Sequence, residues 1–288
     1  MVKQKIALGT VQLGMAYGIN NNTGKPDKQE AFRILNTAFD NGITMLDSAE
    51  AYGNSIQVIG SYVKERADRS IKIISKFIAD ETSVNKKITE SLKNLGCQHL
   101  YAYMYHRFSD YNSKKCWNEL LKLKQERKME RIGVSLYSLK ELEQAIKDSE
   151  IDLIQIPLNP FDCSNDKKKL LTKAKLLGKE IHVRSVFFQG LFFKQPHELP
   201  ANLQEFAEPL RQFHQVLLNH NMSAREACLN YALHQPSVDY VLIGVETHQQ
   251  LVENLDSVLE VFPTEISSKL ESIIIPNPAL LNPSNWNA

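Results

Sequence analysis

An eight-stranded parallel α/β barrel, a (β/α)8 or TIM barrel, is the fold this sequence predicts. Short apolar runs alternate with longer amphipathic stretches along almost the whole chain, as repeated βα units do. Polar residues fit for catalysis stand where several of those runs end, and in a parallel barrel such ends converge on one mouth. The 288 residues, 43% of them apolar, fall in the usual size range for one such barrel, so a single domain over 1–288 is the economical reading.

Eight strands are expected at 6–8, 44–47, 71–76, 101–106, 131–135, 153–157, 181–185 and 240–243. They read as continuous apolar runs, as strands buried on both faces do. Between them lie helices. Over 28–40, Ala31, Ile34, Leu35 and Ala38 fall on one face and Asp27 is placed to cap the start. Over 85–95, Ile88, Leu92 and Leu95 face inward and Gly96 stops the helix. The stretch from 191 to 210, with three prolines and no clear strand, reads as a long loop after the seventh strand, over the barrel mouth. The Pro- and Asn-rich tail after Ile275 either folds back over the barrel or frays. A doubly wound dinucleotide-binding fold is the rival, but Gly9, Gly14 and Gly18 do not have the GxGxxG spacing after the first strand.

Lys and Arg outnumber Asp and Glu by only 34 to 33, which argues against a nucleic-acid surface or a polybasic membrane patch and leaves a small molecule as the ligand. Cys97, Cys116, Cys163 and Cys228 are widely spaced, without a CxxC pair or a zinc-like spacing to histidine. They read as reduced thiols. No apolar segment approaches the length of a membrane span, and the first residues lack a signal-peptide core, so a cytoplasmic protein is expected. Oligomeric state is left open.

Asp47 ends the second run, Lys76 the third and His106 the fourth, while Tyr52 follows Asp47 by five residues. A phenol is a reluctant proton donor near neutral pH unless a cation favours its phenolate, and Lys76 can supply that charge. A lysine among strand neighbours needs a carboxylate partner, for which Asp47 is placed. His106 can then hydrogen-bond a substrate carbonyl. Each residue taken singly has an ordinary structural use, since a strand-end Asp can cap a loop and a histidine can be satisfied in a core. Four complementary groups at the ends of strands two, three and four point jointly to proton-coupled reduction of a carbonyl.

With that tetrad, GTVQLG at the first strand, DSAEAYG, the fifth-strand IGVS, RSVFFQGLF and LIGVETHQQLVENL, the sequence resembles an aldo-keto reductase over almost its whole length. The resemblance implies hydride transfer between a reduced nicotinamide and an aldehyde or ketone, with Tyr52 as proton donor and no metal. It implies that Ser135 and Gln155 hold the nicotinamide carboxamide, that Ser185 and the backbone near Gly190 and Leu191 approach the pyrophosphate, and that Glu253 and Asn254 contact the adenine.

Three positions depart from the family pattern. Leu136 stands where the family commonly has Asn, and Arg184 where many members have an aromatic residue that stacks on the nicotinamide; a guanidinium can stack, bind an anion or form a salt bridge in the mouth. In the last βα loop, Gly244, Glu246 and Gln250 occupy positions where members preferring NADPH carry cations. A carboxylate repels a 2′-phosphate and accepts from a ribose 2′-hydroxyl, so NADH is favoured, with NADPH open if His248 or a distant Lys compensates.

The opening GTVQLGMAYGINNNTGKP and RSVFFQGLF resemble a subgroup found with bacterial surface-polysaccharide and modified-sugar biosynthesis, which implies a keto-sugar substrate whose anionic group meets Arg184 or His197. Asn159, Phe161, Phe187, Phe188, Phe192 and Phe193 are candidates for a pocket wall, and an apolar wall would favour simple aldehydes instead. Two other readings stand beside the reductase: a tetrad-bearing barrel with weakened cofactor turnover, used for isomerisation, and an accessory binding subunit.

Overall fold

The computed structural model of the chain describes residues 2–66 and 71–286. Eight strands run β1 (Ile6–Gly9), β2 (Met45–Asp47), β3 (Lys72–Phe77), β4 (Leu100–Tyr105), β5 (Met129–Ser135), β6 (Leu153–Pro157), β7 (Glu180–Arg184) and β8 (Tyr240–Gly244). They pair in sequence order, all parallel, and β8 returns to β1 to close the barrel. The closed order excludes the doubly wound alternative. Seven of the eight strands differ from the sequence reading by one or two residues at an end, as strand ends do when hydrogen bonding decides what periodicity cannot. The strand 153–157 is as read, and β2 begins one residue later.

Side chains alternate along each strand, and one face lines the barrel interior. Ala7, Met45, Ile74, Ala102, Met104, Leu153 and Leu242 pack together there, apart from the much larger cluster between the strands and the surrounding helices. Two residues further on, at the mouth, the same alternation delivers Gly9, Asp47, Lys76, His106, Gln155 and Gly244. The candidate site positions are thus the last inward positions of strands whose earlier inward positions form an apolar plug.

The helix Lys28–Asp40 is capped by Asp27, whose carboxylate accepts from the Glu30 N–H at 2.8 Å. The helix Val84–Leu95 starts one residue before the expected position, behind Ser83, and ends at Gly96 in the left-handed conformation. The segment expected as a long loop is instead built of 3-10 turns, Phe188–Phe193, Pro196–Glu198 and Ala201–Phe206, leading into the helix Ala207–Asn219. Its apolar residues explain the difference, because Leu199, Leu203, Phe206 and Leu210 are buried and the backbone folds tightly to bury them. The tail folds back: Trp286 is 3% exposed and meets the Phe188 ring edge-on at 4.9 Å. The last two residues of the tail lie outside the described residues.

The four cysteines are free thiols. Among the described residues no helix is long and apolar enough to cross a membrane.

Candidate active site

At the C-terminal mouth of the barrel lies a cavity of about 770 Å³, within the usual range for small-molecule sites. Asp47, Tyr52 and His106 line it, and Lys76 lies directly behind them. Asp47 and Lys76 are 2% and 1% exposed and form a direct ion pair. Lys76 Nζ also donates to the Ser48 carbonyl at 3.3 Å and to the Tyr52 hydroxyl at 3.4 Å. The second Asp47 oxygen accepts from Gln155 Nε2 at 2.8 Å. Tyr52 and His106 meet edge to face, with centroids 5.7 Å apart. The four residues singled out by the sequence are therefore one contiguous cluster.

The loop carrying Tyr52 is held from several directions. The Tyr52 N–H donates to the Ala49 carbonyl at 3.1 Å, and the Glu50 N–H to the Lys76 carbonyl at 3.0 Å. Glu50 accepts from the Tyr103 hydroxyl on the outer face of β4. Gly14, in the helical turn Val11–Gly14, lies so close that a Cβ there would overlap the Tyr52 carbonyl oxygen.

Burial opposes the charge on Lys76, but Asp47 and the Tyr52 oxygen outweigh it and leave the lysine pKa above its ordinary value. Lys76 is thus a permanent cation at neutral pH, placed to stabilise negative charge on the phenolic oxygen when its proton leaves. For His106, burial first and the nearby Lys76 charge second lower the pKa to about 4. The imidazole is neutral at physiological pH and carries one N–H to donate.

The residues expected to hold a coenzyme divide into those that reach the cavity and those that do not. Ser135, Gln155, Arg184, Ser185 and Gly190 line it from β5 to the β7 loop, and Gly244, Glu246, Gln250 and Asn254 from β8 onward. Ser185 and Gly190 both have positive φ, 59° and 93°, and the Asn159 side-chain amide ties the Ser185 carbonyl at 3.0 Å. Gly190 packs on Asn20, where a Cβ would overlap the Asn20 Cβ, so this loop meets the loop after β1 across the mouth. Leu191 is fully buried in the main core and lines no part of the cavity. Glu253 is also off the cavity wall; it pairs with Arg225 at 2.7 Å.

Arg184 donates to the Leu136 carbonyl at 3.0 Å and its guanidinium lies over the Tyr137 ring at 4.2 Å. Phe187, Phe188 and Phe193 line the cavity, whereas Phe161 and Phe192 pack with Phe213 in the core. His197 borders a separate shallow groove with Arg211 and His214, away from the main cavity.

Residues that reach the cavity without having been singled out include Gln12, Tyr17, Asn20, Asn21, Gln189, Arg225 and, from the tail, Pro283 and Ser284. Arg225 and Ser284 lie on elements with no local signal in the sequence, and only the folded chain brings them to the mouth of the barrel. Gln12 carried a signal of a kind, a polar residue inside the apolar run VQLG.

The residues present fit a nicotinamide dinucleotide. Gln155 gives its N–H to Asp47, and its buried Oε1 has no partner, so it can accept the N–H of a carboxamide beside Ser135. Of the other buried side-chain atoms without partners among the described residues, those of Gln12, His106 and Arg225 are on this cavity's wall, and those of Ser75 and His182 are not. With Gln155, four residues on the cavity wall carry polar atoms that a polar ligand can pair.

The sequence model of the aldo/keto reductase family matches residues 5–275. The chain belongs to that family, and it is an oxidoreductase that uses NADH or NADPH to act on carbonyl compounds. Among curated proteins it is similar to an aldo-keto reductase of Strobilurus tenacellus, 26% identical over 278 residues that cover 86% of this chain and 81% of that one. It is similar as well to the glyoxal reductase of Bacillus subtilis, 26% identical over 247 residues, covering 83% of this chain and 80% of the other. The solved structure of an aldo-keto reductase from Bacillus halodurans shares the fold, with a TM-score of 0.75 at 19% identity over 94% of this chain and 92% of that one.

Proposed function

We propose that Tyr52, Lys76, Asp47 and His106 carry out the proton side of carbonyl reduction, and that the substrate is a keto-sugar reduced in preference with NADH. The observation that carries the catalytic part is the Tyr52 hydroxyl 3.4 Å from a lysine that is itself locked to a buried carboxylate. The nicotinamide, when bound, supplies a hydride to the carbonyl carbon. His106, neutral, donates a hydrogen bond to the carbonyl oxygen and sets its orientation. Negative charge developing on that oxygen is met by the Tyr52 proton, and Lys76 stabilises the phenolate left behind. Asp47 keeps Lys76 charged and in place, and Gln155 holds Asp47. In alcohol oxidation the same groups act in reverse.

Amide side chains at the mouth, Asn20, Asn21 and Gln189, together with Arg184, favour a polyhydroxylated or anionic substrate over a purely apolar aldehyde. The sequence motifs shared with the sugar-modifying subgroup point the same way. Glu246 on the cavity wall, and the neutralisation of Arg225 by Glu253, favour NADH. Free thiols suit a reducing compartment, so we place the enzyme in the cytoplasm, acting as one barrel domain.

The test is fluorescence titration with NADH and NADPH, followed by a coenzyme-oxidation screen of keto-sugars, dicarbonyls such as glyoxal, and simple aldehydes. NADH-linked turnover fastest on a keto-sugar is expected. Turnover confined to unhydroxylated aldehydes would refute the sugar assignment, and tighter NADPH binding would refute the role given to Glu246.

A further inference from the structure

Gln12 is 8% exposed, lines the cavity, and has a buried side-chain oxygen with no hydrogen-bond partner. A buried polar group left unpaired destabilises a fold by about 1–3 kcal/mol, so a leucine would serve the barrel better at this position. Its backbone is not free to move the amide elsewhere. The Thr10 N–H and hydroxyl both donate to the Asp47 carbonyl, at 3.0 and 2.9 Å, and Ser55 donates to the Thr10 hydroxyl at 2.8 Å. Gly14, at the other end of the same turn, is wedged against the Tyr52 carbonyl.

Gly244 on β8 makes the room that the amide fills. A Cβ at residue 244 would overlap Gln12 Oε1 and lie 2.6 Å from Nε2. Between β1 and β8 the Gln12 carboxamide is therefore part of the cavity wall, carried on a turn that packs against the loop of Tyr52.

We propose that this carboxamide binds a hydroxyl-bearing ligand, pairing its adjacent donor and acceptor with a vicinal diol. Phosphate oxygens only accept and would leave Oε1 unanswered; an apolar group would leave both atoms so. A hydroxyl both donates and accepts. Within the reductase reading, on which this inference rests, two sources bring such a diol to the cavity: the coenzyme ribose and the hydroxylated carbons of a sugar substrate.

The experiment compares wild type, Gln12→Leu and Gly244→Ala. The readouts are fluorescence Kd for NADH and NADPH, KM for D-glyceraldehyde and for propanal, and the melting temperature. Loss of one or two neutral hydrogen bonds predicts an effect of about three- to tenfold in Gln12→Leu, with the melting temperature unchanged or raised. A rise in Kd assigns the diol to the coenzyme ribose. An unchanged Kd with a rise in KM for glyceraldehyde but not for propanal assigns it to the substrate. Gly244→Ala keeps Gln12 but pushes its amide aside, so it is expected to follow Gln12→Leu and carries the test if that variant does not fold. Unchanged Kd and unchanged KM, or a lower melting temperature alone, overturns the proposal. A folded wild type that binds neither coenzyme overturns the reductase reading and this inference with it; an unchanged variant beside a binding wild type overturns the inference alone.

Discussion

Lys76 and Asp47 show at the scale of single residues why the site is both demanding and stable. Each charge is buried, and each is tolerable only because of the other and of Gln155. Lys76→Met leaves Asp47 buried without its counter-ion, and is expected to cost about 3–5 kcal/mol in denaturant unfolding. Adding Asp47→Asn should restore part of that loss without restoring activity. His106 gives a pH signature. Below its ordinary pKa, about 6.5, the unfolded chain takes up a proton that the native histidine refuses until about 4. Stability should therefore fall as pH drops through that window and stay constant in this respect below it. His106→Gln is expected to flatten that part of the pH dependence measured by chemical denaturation. The tetrad was legible in the sequence because polar residues interrupt apolar runs at strand ends. The partner of Gln155 was not, since the resemblance assigned it to a coenzyme amide while β6 brings its N–H to Asp47.

At the scale of elements, strand periodicity does most of the positioning. The inward alternation that fills the barrel floor with Met45, Ile74, Met104 and Leu153 brings Asp47, Lys76, His106 and Gln155 to the mouth. The eight strands were readable because both of their faces are apolar. The 3-10 turns after β7 were not, because burial of separated residues such as Leu203 and Phe206 has no helical or strand period to detect. Contacts between loops are equally silent in sequence. Gly14 packing on the Tyr52 carbonyl is one, and Gly14→Ala must displace the tyrosine loop. That change is expected to cost about 1–3 kcal/mol by overpacking and to lower kcat while the coenzyme Kd is largely retained, as single-turnover kinetics and titration would register.

At the scale of the whole molecule, the cavity is assembled from the tail after Ile275 as well as from the barrel. The tail reaches it through Pro283 and Ser284, and Trp286 anchors the tail against Phe188 in the β7 loop. Trp286→Ala is expected to destabilise by about 3–5 kcal/mol, and to weaken coenzyme binding by loosening that loop. A thermal melt and a titration of the same variant separate the two effects. Arg225, paired with Glu253, likewise reaches the cavity from a helix outside the last βα loop.

The central claim is that Tyr52 gives the proton while the rest of the site holds the reactants. Its most direct measurement is rapid-mixing kinetics of wild type and Tyr52→Phe, preloaded with NADH and mixed with an aldehyde, after Kd has been measured for both. Equal coenzyme affinity and melting temperature, with NADH oxidation slowed by about 100-fold or more in Tyr52→Phe, is the result expected. Oxidation at the wild-type rate in a folded, coenzyme-bound Tyr52→Phe would contradict the mechanism.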